Sequence, residues 1–192
     1  MAWLRGLGLP VTETAEPDGT PLGAGVRGLL GASPSLDPLA ECLLFLAARA
    51  EHVRRVVRPA LDRGETVVCD RYGDSTAAYQ GYGRGVDLAV ITLLNRLATD
   101  GLAPDLTIVL DLDVAEGLRR IGCRAPDGHD GGRDPFERLG LDFHERVREG
   151  YRAIHEREPA RVALVAADQP EEAVAARVRE LVAARLGLEA PR

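Results

Sequence analysis

Two periods of apolar residues alternate along the chain, one suited to strands and one to helices. Residues 2–7 read as the last turns of a helix ending near Gly6 or Gly8, and Pro10 to Glu16 can form a strand. A turn-rich stretch, Pro17-Asp18-Gly19-Thr20-Pro21, leads to a helix expected from about Leu22 to Leu30 and a turn over residues 31–34. Ser35 or Asp37 can cap a long helical region from about Pro38 to Arg63. Its Leu39, Leu43, Leu46, Val53, Val56, Val57 and Leu61 form an apolar face, and Pro59 is expected to bend it. A strand over Glu65–Asp70 then runs into a short helical segment, followed by an amphipathic helix over Leu88–Thr99.

The second half repeats the alternation. Leu106–Leu112 is the clearest buried strand, and a helix from about Asp113 to Ile121 follows it. Gly122–Pro135, rich in glycine and charge, is expected to be a mobile loop. Helix Phe136–Glu156, strand Arg161–Ala166 and helix Glu171–Leu186 complete the pattern. Strands alternating with helices predict an α/β fold, a parallel sheet covered on both faces. With no internal repeat, residues 1–192 are expected to form one domain.

Composition narrows the functional classes. The chain has 192 residues, a formal charge of -6 and a pI near 5.3, which argues against a nucleic-acid partner. No apolar run approaches the ~18 residues of a membrane span, and the amino terminus lacks a secretory signal, so a cytoplasmic location is expected. Cys42, Cys69 and Cys123 stand far apart, with no metal-ligand spacing. Every position counted as Lys or Arg is arginine, so the chain contains no Walker A lysine.

The run Cys69-Asp70-Arg71-Tyr72-Gly73-Asp74-Ser75-Thr76 through Tyr79 carries the richest chemistry. In an open parallel sheet ligands lie beyond the carboxyl ends of strands, so a nucleotide or phosphate could meet Asp70, Arg71 and Tyr79 there. The alternative is a helix cap at Asp70 and a surface ion pair at Arg71. Phe45 and Arg49, four residues apart, share a helix face and could stack on and hydrogen-bond a planar base, or be a core phenylalanine and a surface arginine. Gly23, Gly25 and Gly28 spell G-x-G-x-x-G, but follow a proline-rich loop rather than a strand, so they are not read as a dinucleotide site. Asp127, Asp130 and Asp134 lack the spacing of a calcium loop, and His129 and His144 lack zinc-site partners.

Four ordered segments resemble bacterial thymidylate kinases: Glu16-Pro17-Asp18-Gly19-Thr20-Pro21-Leu22-Gly23 with Arg27, Leu43-Leu44-Phe45-Leu46-Ala47-Ala48-Arg49, Asp70-Arg71-Tyr72 through Tyr79-Gln80-Gly81-Tyr82-Gly83-Arg84-Gly85, and Leu110-Asp111-Leu112-Asp113. Residues Asp142–Tyr151 look like the family's helix after the lid. The resemblance implies a P-loop-kinase-like sheet, transfer of the ATP γ-phosphate to dTMP to give dTDP, magnesium (Mg2+) and a homodimer packed through helices. It implies that Phe45 stacks on thymine, Arg49 bonds its carbonyl edge, and Ser75 and Thr76 lie against the base. Tyr79 would pack near the deoxyribose, Arg27 and Arg71 clamp the acceptor phosphate, and Asp70 organise the metal region. Arg120, Arg124 and Arg133 are the lid cations it suggests, the lid lying at about 122–137, with Asp70, Arg71, Arg124 and Arg133 taken as catalytic. Such roles suit phosphoryl transfer, which rests on alignment and on neutralising charge.

The chain departs from the family pattern in three ways. Met1 falls near the end of the helix after the family's phosphate-binding loop, so the central first strand and that loop are expected to be missing from this chain. The loop usually reading Arg-Glu-Pro-Gly-Gly is Ala15-Glu16-Pro17-Asp18-Gly19, and the lid's Asp-Arg-x-Glu is Asp134-Pro135-Phe136-Glu137. These departures leave a second reading, a non-catalytic dTMP-binding protein, and the Asp70-Arg71 pair after a strand leaves a third, a deoxynucleoside kinase.

Overall fold

The computed structural model describes residues 1–33, 36–124, 136 and 139–188, without the side chains of 122–124. The chain divides into two compact units, Met1–Leu102 and Ala103–Arg192. Both are α/β, and each holds one two-stranded parallel sheet.

In the first unit α1 (Ala2–Gly6) precedes β1 (Val11–Ala15), which pairs in parallel with β2 (Thr66–Asp70). The register sets Val11 beside Thr66 and Ala15 beside Asp70. One further ladder bond, from Glu16 N–H to the Asp70 carbonyl, brings Glu16 level with the end of β2. The crossover between these strands is built mainly of helices. Pro21 opens α2 (Pro21–Ala32), where its missing N–H costs nothing, and the Thr20 hydroxyl accepts from Gly23 N–H. Asp37 caps α3 (Pro38–His52) by accepting from the amides of Leu39 and Ala40.

The long predicted helix continues through a π-helical stretch, Val53–Val57, into α4 (Arg58–Asp62). Pro59 has no N–H to donate and its ring crowds the carbonyl four residues back, which accounts for the altered ladder before it. Beyond β2 come α5 (Gly73–Thr76), a second π-helical stretch (Ala77–Gly83) and α6 (Leu88–Thr99). Asp87 caps α6, and Asp100 in the left-handed conformation ends it. Two apolar clusters hold these helices together. Val26, Leu30 and Ala48 join α2 to α3, while Cys42, Leu46 and Ile91 join α3 to α6.

In the second unit β3 (Thr107–Asp111) pairs with β4 (Val162–Ala166), Thr107 beside Val162 and Asp111 beside Ala166. Around them lie α7 (Val114–Arg124), α8 (Leu141–Arg157) and α9 (Glu171–Leu186). Three expectations are corrected here. β3 is only half-buried and Leu110 is exposed, because β3 pairs with β4 alone among the described residues. α7 runs three residues past Ile121, so 122–124 are helix rather than loop. α8 begins at Leu141, after Gly140, and not at Phe136. The Asp127, Asp130 and Asp134 cluster and His129 lie outside the described residues.

Candidate active site

The carboxyl ends of β1 and β2 deliver Glu16, Asp70 and Arg71 to one edge of the first unit. Arg71 is held at φ 66°, a left-handed conformation that a residue with a Cβ adopts at a cost of ~1 kcal/mol. Such an outlier persists where the surroundings fix it, and here it turns the chain sharply between strand and helix. The Arg71 guanidinium sits 4.7 Å from the centre of the Tyr79 ring and donates to the Tyr79 hydroxyl at 3.4 Å. Asp70 is exposed. Burial pushes the Cys69 thiol up to about 12, with Glu16 adding to the effect. Burial likewise raises the Tyr72 phenol, again reinforced by Glu16. Both groups stay neutral in ordinary solution.

Arg49 is the centre of a buried polar cluster. Its Nε and Nη2 meet Glu16 Oε2 at 2.8 and 2.7 Å, and its Nη1 donates to Thr76 Oγ1 at 2.8 Å and Asn95 Oδ1 at 2.6 Å. The guanidinium also lies 5.4 Å from the Tyr72 ring centre. His52, one turn along α3, has Nδ1 3.1 Å from Glu16 Oε1 and Nε2 2.7 Å from Thr14 Oγ1. A neutral imidazole satisfies both contacts when Nδ1 donates to the carboxylate and Nε2 accepts from the hydroxyl. Such a cluster is costly to bury, and every partner present repays part of that cost.

The remaining predicted residues of this unit surround the cluster in part. Thr76 is buried and bonded to Arg49, and Ser75 is half-buried on the same helix. Phe45 is half-buried and packs on the Val26, Leu30 and Ala48 cluster, so part of its ring serves the core. Arg27 pairs with Asp18 at 2.5 Å. Glu41, buried on α3, accepts from Gln80 at 2.9 Å and pairs with Arg84 at 2.9 Å, pinning the π-helical stretch that carries Tyr79.

In the second unit Asp111, at the end of β3, is bonded by Arg148 at 2.7 Å and Arg152 at 2.8 Å. Burial works to raise its pKa, and the two arginines outweigh it, holding the carboxyl below its usual value. Arg120 donates to Glu116 at 2.7 Å and to the Ala167 carbonyl at 3.1 Å. Bonds from Arg119 and Arg120 hold the Glu116 carboxyl down at about 2. The side chains of Arg124 and Arg133, the other two candidate lid cations, lie outside the described residues.

The sequence profile of thymidylate kinase matches residues 1–178. The chain belongs to the thymidylate kinase family. It is 48% identical over 187 residues to the thymidylate kinase of Desulfovibrio desulfuricans, covering 96% of this chain and 86% of that one. To the thymidylate kinase of Deinococcus radiodurans it is 46% identical over 185 residues, covering 96% and 87%. The crystal structure of thymidylate kinase from Ehrlichia chaffeensis superposes with a TM-score of 0.73 at 32% identity, covering 94% of this chain and 84% of that one. The chain is thus an enzyme of this family with its α/β fold.

Several polar residues of this buried cluster were not singled out from the sequence. His52 stands three residues after Arg49, on the same helix face. Asn95 follows Leu88-Ala89-Val90-Ile91-Thr92-Leu93-Leu94, where Thr92 is the one polar residue, and lies one turn from buried Ile91, which is a readable signal of a buried polar contact. Glu16 was legible only as part of a motif, and Glu41 gave no signal at all. Among the described residues no group of three His, Cys, Asp or Glu side chains could form a metal site, and no helix is long and apolar enough to cross a membrane.

Proposed function

We propose that the chain transfers the γ-phosphoryl group of ATP to the 5′-phosphate of dTMP, giving dTDP. The observation that carries this reading is the bond from Arg49 to Thr76, which joins the two segments suited to a pyrimidine base. Arg49 bonds the carbonyl edge of thymine, Phe45 stacks on it through the part of the ring not packed in the core, and Ser75 and Thr76 lie against it. Tyr79, fixed against Arg71, packs near the deoxyribose and disfavours a 2′-hydroxyl. Arg71 and Arg27 hold the acceptor phosphate as forked cations, which suits bidentate phosphate binding. Arg120, Arg124 and Arg133 are the cations of the donor side, and Arg124 and Arg133 act on the transferring phosphoryl.

Asp70 suits magnesium, because that ion takes hard oxygen ligands, commonly one or two carboxylates plus phosphate oxygens and water. Bound there, it supplies charge neutralisation to the phosphate oxygens. The protein's own share is alignment: a buried, hydrogen-bonded Arg49 and an Arg71 set by its backbone do not reorganise during the reaction.

A homodimer is part of the same reading. Val90, Leu93 and Leu97 form an exposed stripe on α6, while its opposite side, with Ile91 and Leu94, is in the core. A helix apolar on both sides is normally covered on both, and Leu39 and Leu43 on α3 are exposed as well. A second copy of the chain, working in the cytoplasm, is the occupant that fits.

ADP release measured with dTMP, dUMP and thymidine as acceptors tests the function. Turnover highest on dTMP supports it. Preference for thymidine favours a deoxynucleoside kinase, and calorimetric binding of dTMP without ADP release favours a non-catalytic binding protein.

A further inference from the structure

Arg49 donates three hydrogen bonds, from Nε to Glu16 and from Nη1 to Thr76 and Asn95, and its Nη2 makes an ion-pair contact with Glu16 at 2.7 Å. Among the described residues Glu16 is the one printed partner of Nη2, which carries two N–H groups. A guanidinium is planar and rigid, so the direction of the Nη2 N–H turned away from Glu16 follows from where Glu16, Thr76 and Asn95 hold the plane. Glu16 fixes one edge of the plane. The opposite edge, at Nη1, is fixed by Thr76 and Asn95.

Asn95 has a position that no other residue of the cluster shares. Its Oδ1 accepts from Arg49 at 2.6 Å, and its Nδ2 donates to the Gly73 carbonyl at 3.3 Å. The orientation of its amide follows from chemistry, since arginine only donates and a carbonyl only accepts. Gly73 begins α5, the helix that carries Ser75 and Thr76. One side chain on α6 therefore ties the arginine of α3 to the start of the helix on the other side of the base position.

We propose that Asn95 is a positioning residue of the acceptor site, which aims the free N–H of Arg49 and thereby sets the preference for a base with a carbonyl at its 4-position. This rests on the reading of dTMP as acceptor. The affected quantity is discrimination. Cytosine presents an amino group where thymine presents a carbonyl, so a well-aimed donor favours dTMP over dCMP, and a loosened fork loses that preference.

The test is calorimetric binding of dTMP and dCMP to the full chain. Asn95→Leu is expected to lower the preference for dTMP over dCMP about tenfold, the loss of one well-made hydrogen bond to a charged donor. Asn95→Asp keeps an oxygen facing Arg49, adds a negative charge beside that cation and replaces the donor to Gly73 by an acceptor, so the hold on Arg49 survives and it is expected to retain most of the preference. General damage to α5 moves both nucleotides equally and both variants alike. If Asn95→Leu does not fold, Asn95→Ser removes both contacts without adding bulk and is read in the same way. An unchanged preference in the Leu or Ser variant overturns the inference, as does an equal loss in the Asp variant. Failure of the unmodified chain to bind dTMP overturns the function proposed above and this inference with it.

Discussion

Gly23 lies so close to Pro17 that a Cβ added to it would stand 1.5 Å from the Pro17 carbonyl oxygen. The turn after β1 is thereby seated directly on the first turn of α2, where the Thr20 hydroxyl also caps Gly23 N–H. Backbone rather than a flexible side chain is in the way, so Gly23→Ala must displace the Glu16–Gly19 segment. The expected loss is ~3 kcal/mol of stability, the upper end of the usual cost of overpacking, with weaker dTMP binding as Glu16 and Arg27 move. Gly25 and Gly28 meet nothing within 4 Å, so Gly25→Ala is expected to stabilise α2 by ~0.5–1 kcal/mol. Urea unfolding of the two variants checks the contrast, and equal effects would remove the close approach as the explanation.

Glu16 supplies the negative charge in a pocket that also buries Arg49 and His52. Glu16→Gln keeps the size and leaves the Arg49 cation without its counter-charge. Breaking a buried pair in this way costs about 3–5 kcal/mol. Thr14→Val removes only the hydroxyl next to His52 and is expected to cost about 1–3 kcal/mol. Equilibrium denaturation that ranks Thr14→Val above Glu16→Gln would show that the charge pair is not the dominant interaction of the cluster.

The helices and strands were legible where local signals agreed. α6 and α9 have the bounds their apolar periods predicted, because Asp87 caps one and left-handed Asp100 and Gly187 end the two. The two π-helical stretches were not legible, since apolar spacing over Val53–Val57 and Ala77–Gly83 does not distinguish a five-residue ladder from a four-residue one. Pro59 was read correctly as a disturbance, but not in form. At the site, Asp70, Arg71 and Tyr79 could be placed by the strand-end rule. The burial of Arg49 could not, because a charged residue is expected outside unless its partners are known, and Glu16 and Asn95 come from elements 33 and 46 residues away.

Alkaline pH is expected to destabilise the first unit through Cys69 and Tyr72. Burial raises both groups in the native state, the thiol from an ordinary value of 9.0 to about 12. The native protein thus keeps protons that the unfolded chain releases, and stability falls as pH rises from about 9 towards 12. Below about 9 both states hold the protons and neither group contributes a pH dependence. Melting temperatures at pH 7.5 and 10 should fall further apart in the unmodified chain than in Cys69→Ser, which carries no titrating group there. Parallel behaviour of the two proteins would exclude the thiol as a cause.

The leucines of α6 make the proposed dimer testable without touching the candidate site. Leu93 and Leu97 are 68% and 77% exposed, four residues apart, and Val90 extends the stripe by one turn. Covering each leucine contributes about 1.5–3 kcal/mol, so two copies of the stripe facing each other supply several such terms. A carboxylate placed there would have to be buried without a partner, which costs more than the leucine contributed. Leu97→Glu is therefore expected to leave the monomer's stability nearly unchanged while shifting a micromolar solution from dimer to monomer in sedimentation velocity. Because Leu97 faces away from Arg49, Thr76 and Asn95 on the other side of α6, dTMP affinity should change less than the association constant. A Leu97→Glu protein that sediments like the unmodified chain places the contact surface elsewhere.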